Sequence, residues 1–331
     1  MTTFKEIRGT AIQVLSSDPS NPIEGQIWYN SSSGTLKGYQ LANVNAWASG
    51  GALSTGVRNA ALFGTQTAAI NAGGINTGIV GTTQSYNGTS WSSPPATLNT
   101  PRESINGAGT QTAGIVIGGL SPSITSAVEN WNGSSWTSVT SLPAARDYGG
   151  STGTQTAALY FGGRTPSTTG TTFSYNGSAW TSGGTMNSAR FAFGYAGNSN
   201  TAALAFGGQP PTTGSSATES YNGSAWTSLN SLNTAREQLG GLGIQTLALA
   251  FGGASPGPGA AITATELWNG SSWTSNPTGL ATGRNQSKGC GTQTVGLTAG
   301  GYNDSLSPVT QTSFSEEWTG QALQTKTITV S

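Results

Sequence analysis

Residues 236–273 read REQLGGLGIQTLALAFGGASPGPGAAITATELWNGSSW and contain one full copy of a unit that recurs six times along the 331-residue chain. An arginine opens the unit, a glycine-rich stretch and Gln245-Thr246 follow, and an apolar run ends at two glycines. A tryptophan, Asn269-Gly270 and a second tryptophan complete it. Gln-Thr, or Asn-Thr in the fourth copy, returns every 44 to 48 residues. This period indicates propeller blades or solenoid units, because one unit cannot bury its apolar face alone.

Each unit divides into four short strands. The apolar run before the paired glycines, such as residues 247–251, is too short for a helix and suits a strand that is buried on both faces. Asn-Gly between the third and fourth strands is typical of a type I′ hairpin, which needs positive φ at both central residues. Four antiparallel strands per unit predict the blade of a β-propeller.

The succession of paired glycines, an aromatic residue, a tryptophan and an arginine that opens the next unit resembles the kelch repeat over about residues 23–331. The resemblance implies an all-β, kelch-like β-propeller. It leaves the chemistry open, since kelch propellers include enzymes as well as binding and scaffolding proteins. The tryptophans expected to pack between blades are Trp91, Trp136, Trp180, Trp226, Trp273 and Trp318. The arginines expected to hold the register are Arg58, Arg102, Arg146, Arg190, Arg236 and Arg284.

The two ends of the chain bear on the number of blades. In the sixth unit Phe314 has the spacing of the third-strand aromatic, so Trp318 is expected in the fourth-strand role. Residues 326–330 then read as the first strand of a seventh blade, which N-terminal strands within residues 26–47 complete. We therefore favour seven blades closed by strands from both termini, with six blades plus an N-terminal hairpin as the alternative. The expected domains are an arm, residues 1–22, and a propeller, residues 23–331.

The composition limits the chemistry. The chain has no histidine and one cysteine, Cys290, so an internal disulfide, Ser-His-Asp or Cys-His nucleophiles, His-based zinc sites and galactose-oxidase-type copper centres are excluded. The acidic residues are scattered, and no clustered aspartates suggest a calcium loop. We expect no catalysis and no cofactor. Four glutamates recur two residues before the blade aromatic and are expected to pair with the register arginines between blades: Glu129, Glu219, Glu266 and Glu316.

Charge and hydropathy exclude two classes of partner. The formal net charge is zero and six of the eight arginines belong to the repeat, so no basic stripe for nucleic acid is expected. There is no 18-residue apolar segment and no apolar leader of the signal-peptide type, so a membrane span is not expected either.

Differences between the units point to one face of the propeller. Antiparallel order places the loops after the second and fourth strands on the same face, and the loops after the second strand differ in length and content. Variable loops on a rigid scaffold commonly carry recognition. The candidate contact residues there are Leu120, Arg164, Gln209, Pro210, Pro256, Tyr302 and Asp304.

The N-terminal segment suggests a biological context. Residues 18–30, DPSNPIEGQIWYN, followed by residues 34–39 and Trp47, resemble a segment that recurs in structural proteins of tailed bacteriophages. The Gly-, Ser-, Thr- and Asn-rich kelch units are similar to those in virion proteins of phages that infect marine cyanobacteria. The resemblance implies a tail- or fibre-associated virion component that assembles in the host cytoplasm, in multiple copies, with other virion proteins as partners. No coiled coil or triple β-helix follows the propeller, so a long fibre shaft is not expected.

Two functional classes follow. The first is a structural module whose arm docks on other virion proteins through Ile12, Val14 and Leu15. The second is a receptor-binding module that holds host-surface glycans. A lectin would repeat an exposed aromatic residue on one face, whereas the repeated aromatics here are expected to pack inside the blades, which favours the structural module.

Overall fold

The computed structural model describes residues 12–94, 96–210, 214–256, 259–304 and 310–328. All regular secondary structure within these ranges is β-strand, and the predicted all-β propeller is confirmed. The chain forms two compact units, residues 1–45 with 320–331 and residues 46–319. The boundary expected at residue 22 therefore falls inside the first unit. No part of the described chain forms a helix that could span a membrane.

The first unit contains β1 (Gln13–Leu15), β2 (Ile27–Asn30) and the first part of β3 (Thr35–Ser49). Strand β1 pairs in parallel with β2, and β2 forms an antiparallel hairpin with β3. The N-terminal arm is thus not a free extension from residue 12 onward, because Val14 and Leu15 are paired with the chain's own β2.

The carboxylate of Asp18 links the N-terminal segment to β2 and β3 through three hydrogen bonds. Its Oδ1 accepts hydrogen bonds from Trp28 Nε1 at 3.0 Å and Asn30 Nδ2 at 2.8 Å, and its Oδ2 accepts one from Lys37 Nζ at 2.9 Å. These donors, with Asn30 first, lower the pKa of the Asp18 carboxyl to about 2. The spacing of Asp, Trp, Asn and Lys in the N-terminal motif is therefore explained by one hydrogen-bonded carboxylate.

The second unit is a ring of four-stranded blades. Blade 1 consists of β4 (Ala61–Thr65), β5 (Ala68–Ala72), β6 (Thr83–Tyr86) and β7 (Trp91–Ser92). Blade 2 consists of β8 (Asn106–Thr110), β9 (Ala113–Ile117), β10 (Val128–Trp131) and β11 (Trp136–Val139). Blade 3 consists of β12 (Gly150–Thr154), β13 (Ala157–Phe161), β14 (Thr172–Tyr175) and β15 (Trp180–Ser182).

The next two blades repeat the same antiparallel order. Blade 4 consists of β16 (Gly194–Ala196), β17 (Ala203–Phe206), β18 (Thr218–Tyr221) and β19 (Trp226–Leu229). Blade 5 consists of β20 (Gly240–Ile244), β21 (Leu247–Phe251), β22 (Thr265–Trp268) and β23 (Trp273–Ser275).

The sixth blade takes strands from both ends of the chain. Its first two strands are β24 (Lys288–Gly291) and β25 (Val295–Ala299), and its third is the start of β28 (Ser315–Thr327). The end of β3 supplies the fourth. A small hairpin, β26 (Tyr302–Asn303) with β27 (Thr310–Gln311), precedes β28.

The ring of the second unit closes with six blades, so the favoured count of seven is corrected to the alternative count. The innermost strands contact one another in the cycle β4, β8, β12, β16, β20, β24 and back to β4. The predicted closure by strands from both termini is confirmed. The closing blade takes three strands from the C-terminal side and one from the N-terminal side, however, whereas one and three were expected. The physical reason is that β28 runs on without a turn to Thr327 instead of starting a new inner strand. Of the strand expected at 326–330, residues 329–330 lie outside the described residues.

A repeated tryptophan hydrogen bond also counts six blades. The indole of a fourth-strand tryptophan donates to a Thr or Ser hydroxyl that opens the third strand of the preceding blade, at 2.9–3.0 Å. Trp47 does this in blade 6, while Trp318 lies in the third strand, so the role expected for Trp318 belongs to Trp47. Trp180 is the exception because its expected acceptor is Val128, and it bonds the Thr140 carbonyl instead. The pairs are Trp91–Ser315, Trp136–Thr83, Trp226–Thr172, Trp273–Thr218 and Trp47–Thr265.

The Gln-Thr turns, which join the first and second strands, also link neighbouring blades. They lie on the face opposite the loops that follow the second strands. Each glutamine amide donates to the carbonyl of the third-strand aromatic in the preceding blade, and Gln66 closes the cycle by donating to Trp318 at 2.9 Å. The other pairs are Gln111–Tyr86, Gln155–Trp131, Gln245–Tyr221 and Gln293–Trp268, with Asn200–Tyr175 in the fourth position.

The recurring glutamates pair with register arginines, as predicted. The two partners belong to the same blade, however, and not to neighbouring blades. The arginine precedes the first strand of a blade, and its partner lies in the third strand of that same blade. Both side chains are almost fully buried. The four pairs are Arg102–Glu129, Arg190–Glu219, Arg236–Glu266 and Arg284–Glu316. Each glutamate also accepts a backbone amide from the loop that enters the blade.

Blades 3 and 1 have other contacts in place of this ion pair. In blade 3 the glutamate position holds Phe173, and the guanidinium of Arg146 lies 5.3 Å from the centre of its ring. In blade 1 the register position is Val57, because the Val57 carbonyl accepts from Gly301 as the Arg102 carbonyl accepts from Gly74. Arg58 is therefore one residue out of the expected register, and its guanidinium lies over Tyr302.

Local turns and packing explain the glycine pattern. In the Asn-Gly loops only glycine has positive φ, 94° at Gly133, while Asn132 Oδ1 accepts from the amides of Ser134 and Ser135. These are four-residue loops, so the expected type I′ turn is wrong. In the inner strands a Cβ on Gly240 would lie 2.2 Å from the ring of Phe251, so glycine there makes room for a core aromatic.

Candidate functional site

The loops after the second and fourth strands meet around the axis of the second unit and form what we call the loop face. On this face, the residue after each pair of glycines forms a β-bridge. Its partner is the residue after the register position of the same blade. These bridges bring several predicted contact residues together around the axis. The pairs are Arg58–Ile75, Glu103–Leu120, Asp147–Arg164, Phe191–Gln209, Glu237–Ala254 and Asn285–Tyr302.

A continuous cycle of backbone hydrogen bonds surrounds the axis beneath these pairs. Six residues, one per blade, adopt left-handed φ values of 52–56°. The amide of each donates to the carbonyl of its counterpart in the preceding blade, at 2.7–3.1 Å. Left-handed backbone is unusual for residues other than glycine and is maintained only where the surroundings fix it. The six residues are Asn59, Ser104, Tyr148, Ala192, Gln238 and Gln286.

An aromatic and charged cluster stands on one side of the loop face. Arg164 donates two hydrogen bonds to Asp147, at 3.1 and 2.7 Å, and the hydrogen bond with this carboxylate raises the pKa of Arg164. Its guanidinium lies 4.8 Å from the ring centre of Tyr148 and 4.9 Å from that of Phe191. Burial raises the pKa of the Tyr148 hydroxyl, which accepts a hydrogen bond from Asn59 Nδ2 at 3.0 Å. The centres of the two aromatic rings are 6.2 Å apart, and the fixed guanidinium lies over both of them.

Glu237 is the second polar feature of this face. Burial raises the pKa of its carboxyl, and no residue of the described ranges donates a hydrogen bond to it. Glu103, its counterpart in blade 2, accepts from Asn59 Nδ2 at 3.0 Å. Among the described residues Glu237 is thus an acceptor without a donor, which a ligand hydroxyl or amide can bond.

The other predicted contact residues are more dispersed. Asp304 Oδ1 accepts from the Ala261 amide at 3.0 Å and so ties two loops together. Tyr302 lies beneath the guanidinium of Arg58, 4.7 Å from it. Gln209 and Pro210 precede residues 211–213, and Pro256 precedes residues 257–258, which lie outside the described residues.

The central channel contains two side chains that break the repeat. Tyr195 lines a cavity of about 170 Å³ at the end of the channel opposite the loop face. Lys288 lines a smaller one beneath the left-handed residues, and its ammonium lies 5.2 Å from the Tyr195 ring centre. Cys290 is buried beside the wider cavity, and burial raises the pKa of its thiol to about 12, so it is a protonated core residue at neutral pH.

Sequence reasoning did not single out Tyr148, Phe191, Glu237 or Lys288. The available signal was the departure from the repeat, since Lys288 stands where most other units have glycine. Three or more His, Cys, Asp or Glu side chains that could hold a metal ion do not come together anywhere in the described chain.

Comparison with known proteins supports the fold. No family model matches the chain, and no curated protein matches it. Among solved structures it is similar to one titled "Structure of YjhT", with a TM-score of 0.67 and 12% sequence identity over 83% of this chain and 99% of that one. At this identity the likeness shows the β-propeller fold alone.

Proposed function

We propose that the chain is a structural component of a phage virion, associated with the tail or a fibre, without catalytic activity. The resemblance of its N-terminal segment and kelch units to phage structural proteins supports this role. The propeller itself fits a rigid module, since each blade is joined to the next through backbone, glutamine and tryptophan hydrogen bonds.

The observation that carries the proposal is the exposed apolar surface of the first unit. Val14 is 64% exposed and pairs with Tyr29, which is 38% exposed. Ile23 is 72% exposed and Ile12 is 39% exposed. Strand β1 is the edge of its sheet, and within the described residues no strand pairs with its outer side. An exposed edge with apolar side chains can accept a strand from another protein. The proposed attachment surface thus includes Ile23 and Tyr29 in addition to Ile12 and Val14 of the predicted arm.

Substitution of the exposed side chains tests the attachment. Val14→Asp with Ile23→Asp should leave thermal unfolding unchanged and reduce incorporation into phage particles about tenfold or more, since each buried valine or isoleucine contributes roughly 1.5–3 kcal/mol. The matched control is Leu247→Asp with Val295→Asp, two exposed apolar residues of the second unit. Equal incorporation of both double variants would refute attachment through the first unit.

A glycan-binding role at the loop face is the second candidate, and the cluster of Tyr148, Phe191 and Arg164 favours it. Sugar rings stack on aromatic side chains, and Glu237, which has no donor within the described ranges, can accept a sugar hydroxyl. Phe191→Leu keeps most of the volume and removes the ring. It should weaken binding to a responding glycan about tenfold or more, while Tyr29→Leu should not. A glycan array without any response from the wild-type chain would eliminate this candidate.

A further inference from the structure

Arg58 is a cation of the loop face that has no counter-charge. Its guanidinium lies 4.7 Å from the ring centre of Tyr302, and its Nη1 donates to Gln286 Oε1 at 3.3 Å. Among the described residues no carboxylate pairs with it, and its buried Nε has no hydrogen-bond partner. Arg164 differs, since its Nε and Nη2 both bond Asp147. A guanidinium has five N–H donors, so Arg58 is held in place with most of its donors unused.

A chain of amide hydrogen bonds extends this set of donors along the axis. The Nε2 of Gln286 donates to Gln238 Oε1 at 3.0 Å. Because Arg58 has donors only, the oxygen of Gln286 must face it, and this fixes which way both amides point. The chain therefore ends at the amide nitrogen of Gln238, which bonds no acceptor in the described chain. Three side chains from blades 1, 6 and 5 thus present donors to the same axial opening.

The opening is narrow enough for one ligand to reach both sides. Arg58 precedes Asn59 in the cycle of left-handed residues, and Phe191 precedes Ala192, three steps away. Hydrogen-bonded backbone segments lie about 4.8 Å apart, so opposite members of a six-membered ring are separated by about 10 Å. Arg58 consequently stands across the axis from the ring of Phe191. A sugar at the aromatic cluster can direct an acidic group toward Arg58.

We propose that the axial opening of the loop face binds an acidic sugar residue, of the uronic or ulosonic acid class, in a host-surface glycan. The guanidinium of Arg58 binds the carboxylate, a pairing that is strong because it is charged and planar. The amide of Gln238 donates to the same residue of the glycan. This inference rests on the glycan-binding candidate above and names the ligand class of that site.

Glu237 favours an acidic sugar over an acidic peptide. Its carboxylate, in the residue before Gln238, has no donor within the described ranges. A sugar acid brings hydroxyl groups that can donate to it. An acidic peptide brings several carboxylates and few hydroxyls, so Glu237 would repel it.

A glycan array with matched chemistry tests the ligand class. The full chain is applied to neutral, sulfated and carboxylated glycans, before and after methyl esterification of the carboxyl groups. Esterification keeps the sugar and removes the charge, so the response to carboxylated glycans should fall about tenfold or more. A response that is confined to neutral or sulfated glycans, or that survives esterification, would overturn the inference and leave the glycan-binding candidate intact. The absence of any response would eliminate both.

Variants assign the recognition to Arg58. Arg58→Gln should weaken binding of the responding acidic glycan about tenfold or more, and Lys37→Gln, at a cation of the first unit, should not. Should Arg58→Gln melt well below wild type, Gln238→Asn provides a second variant: asparagine tolerates the left-handed backbone at that position, and its shorter side chain removes the terminal donor. It should weaken binding several-fold. Equal binding by wild type and both variants would overturn the proposal, as would displacement of the glycan by oligoglutamate at the same carboxylate concentration.

Discussion

Removal of the buried guanidinium in blade 4 should destabilise the propeller far more than removal of the whole ion pair. Arg190 Nη2 lies 2.8 Å from Glu219 Oε1, both side chains are 1% exposed, and Nη1 donates to the Ala217 carbonyl at 2.8 Å. Arg190→Val leaves the Glu219 charge buried without its counter-charge. Breaking a buried pair from one side costs about 3–5 kcal/mol. For a unit of this size that lowers the melting temperature by about 5–8 °C.

Blade 1 shows a neutral arrangement that can replace this ion pair. Blade 1 has Val57 at the arginine position and Gln84 at the glutamate position, and the Gln84 amide exchanges two hydrogen bonds with the backbone of Thr55. Adding Glu219→Gln to Arg190→Val reproduces this arrangement and removes the buried charge. We expect the double variant to recover about 2 kcal/mol or more of the loss, within the range measured for coupled neighbours.

Calorimetry and urea unfolding followed by circular dichroism would measure the effect. Agreement between calorimetric and van't Hoff enthalpies is needed before the free energies are compared. Glu219→Gln alone serves as the control, since it leaves Arg190 charged and unpaired. If the double variant is no more stable than Arg190→Val, the loss does not come from the buried carboxylate, and the reasoning fails.

Three further outcomes can be measured. Trp47→Ala should cost about 3–5 kcal/mol of unfolding free energy, because Trp47 packs on Phe251 and Trp318 and closes the ring, and Trp180→Ala should cost clearly less; equal losses would contradict six-fold closure by Trp47. Deletion of residues 326–331 should leave melting of the second unit unchanged, because that unit ends at residue 319 although β28 continues to Thr327; a drop of several degrees would contradict this. The Asp18 carboxylate has a lowered pKa in the folded state, so its stabilisation is present above pH 3.8 and is lost as the pH falls toward about 2. Tryptophan fluorescence of wild type between pH 4 and 2 should show that loss, and Asp18→Asn should be insensitive to pH there; identical profiles would show that Asp18 does not stabilise the folded state.

The sequence alone determined the fold class and the parts that repeat. Its period, the double glycines and the recurring Arg and Glu predicted a propeller with Arg–Glu pairs, because a unit that stacks on its own copies must repeat every contact it makes with them. The same periodicity hid the exceptions. Phe314 and Trp318 fit the spacing of a third-strand aromatic and a fourth-strand tryptophan, and Arg58 stands one position from the register arginine, so spacing assigned all three incorrectly.

Only the tertiary structure decided how many blades close the ring and what lies near its axis. The fourth strand of blade 6 comes from residues 46–49, more than 260 positions before its neighbour, and local patterns carry no information about a pairing that distant. The cluster of Tyr148, Phe191 and Arg164 unites three loops of two repeats, and Lys288 meets Tyr195 across the channel. These residues become a site because ring closure brings the inner edges of six blades to one axis.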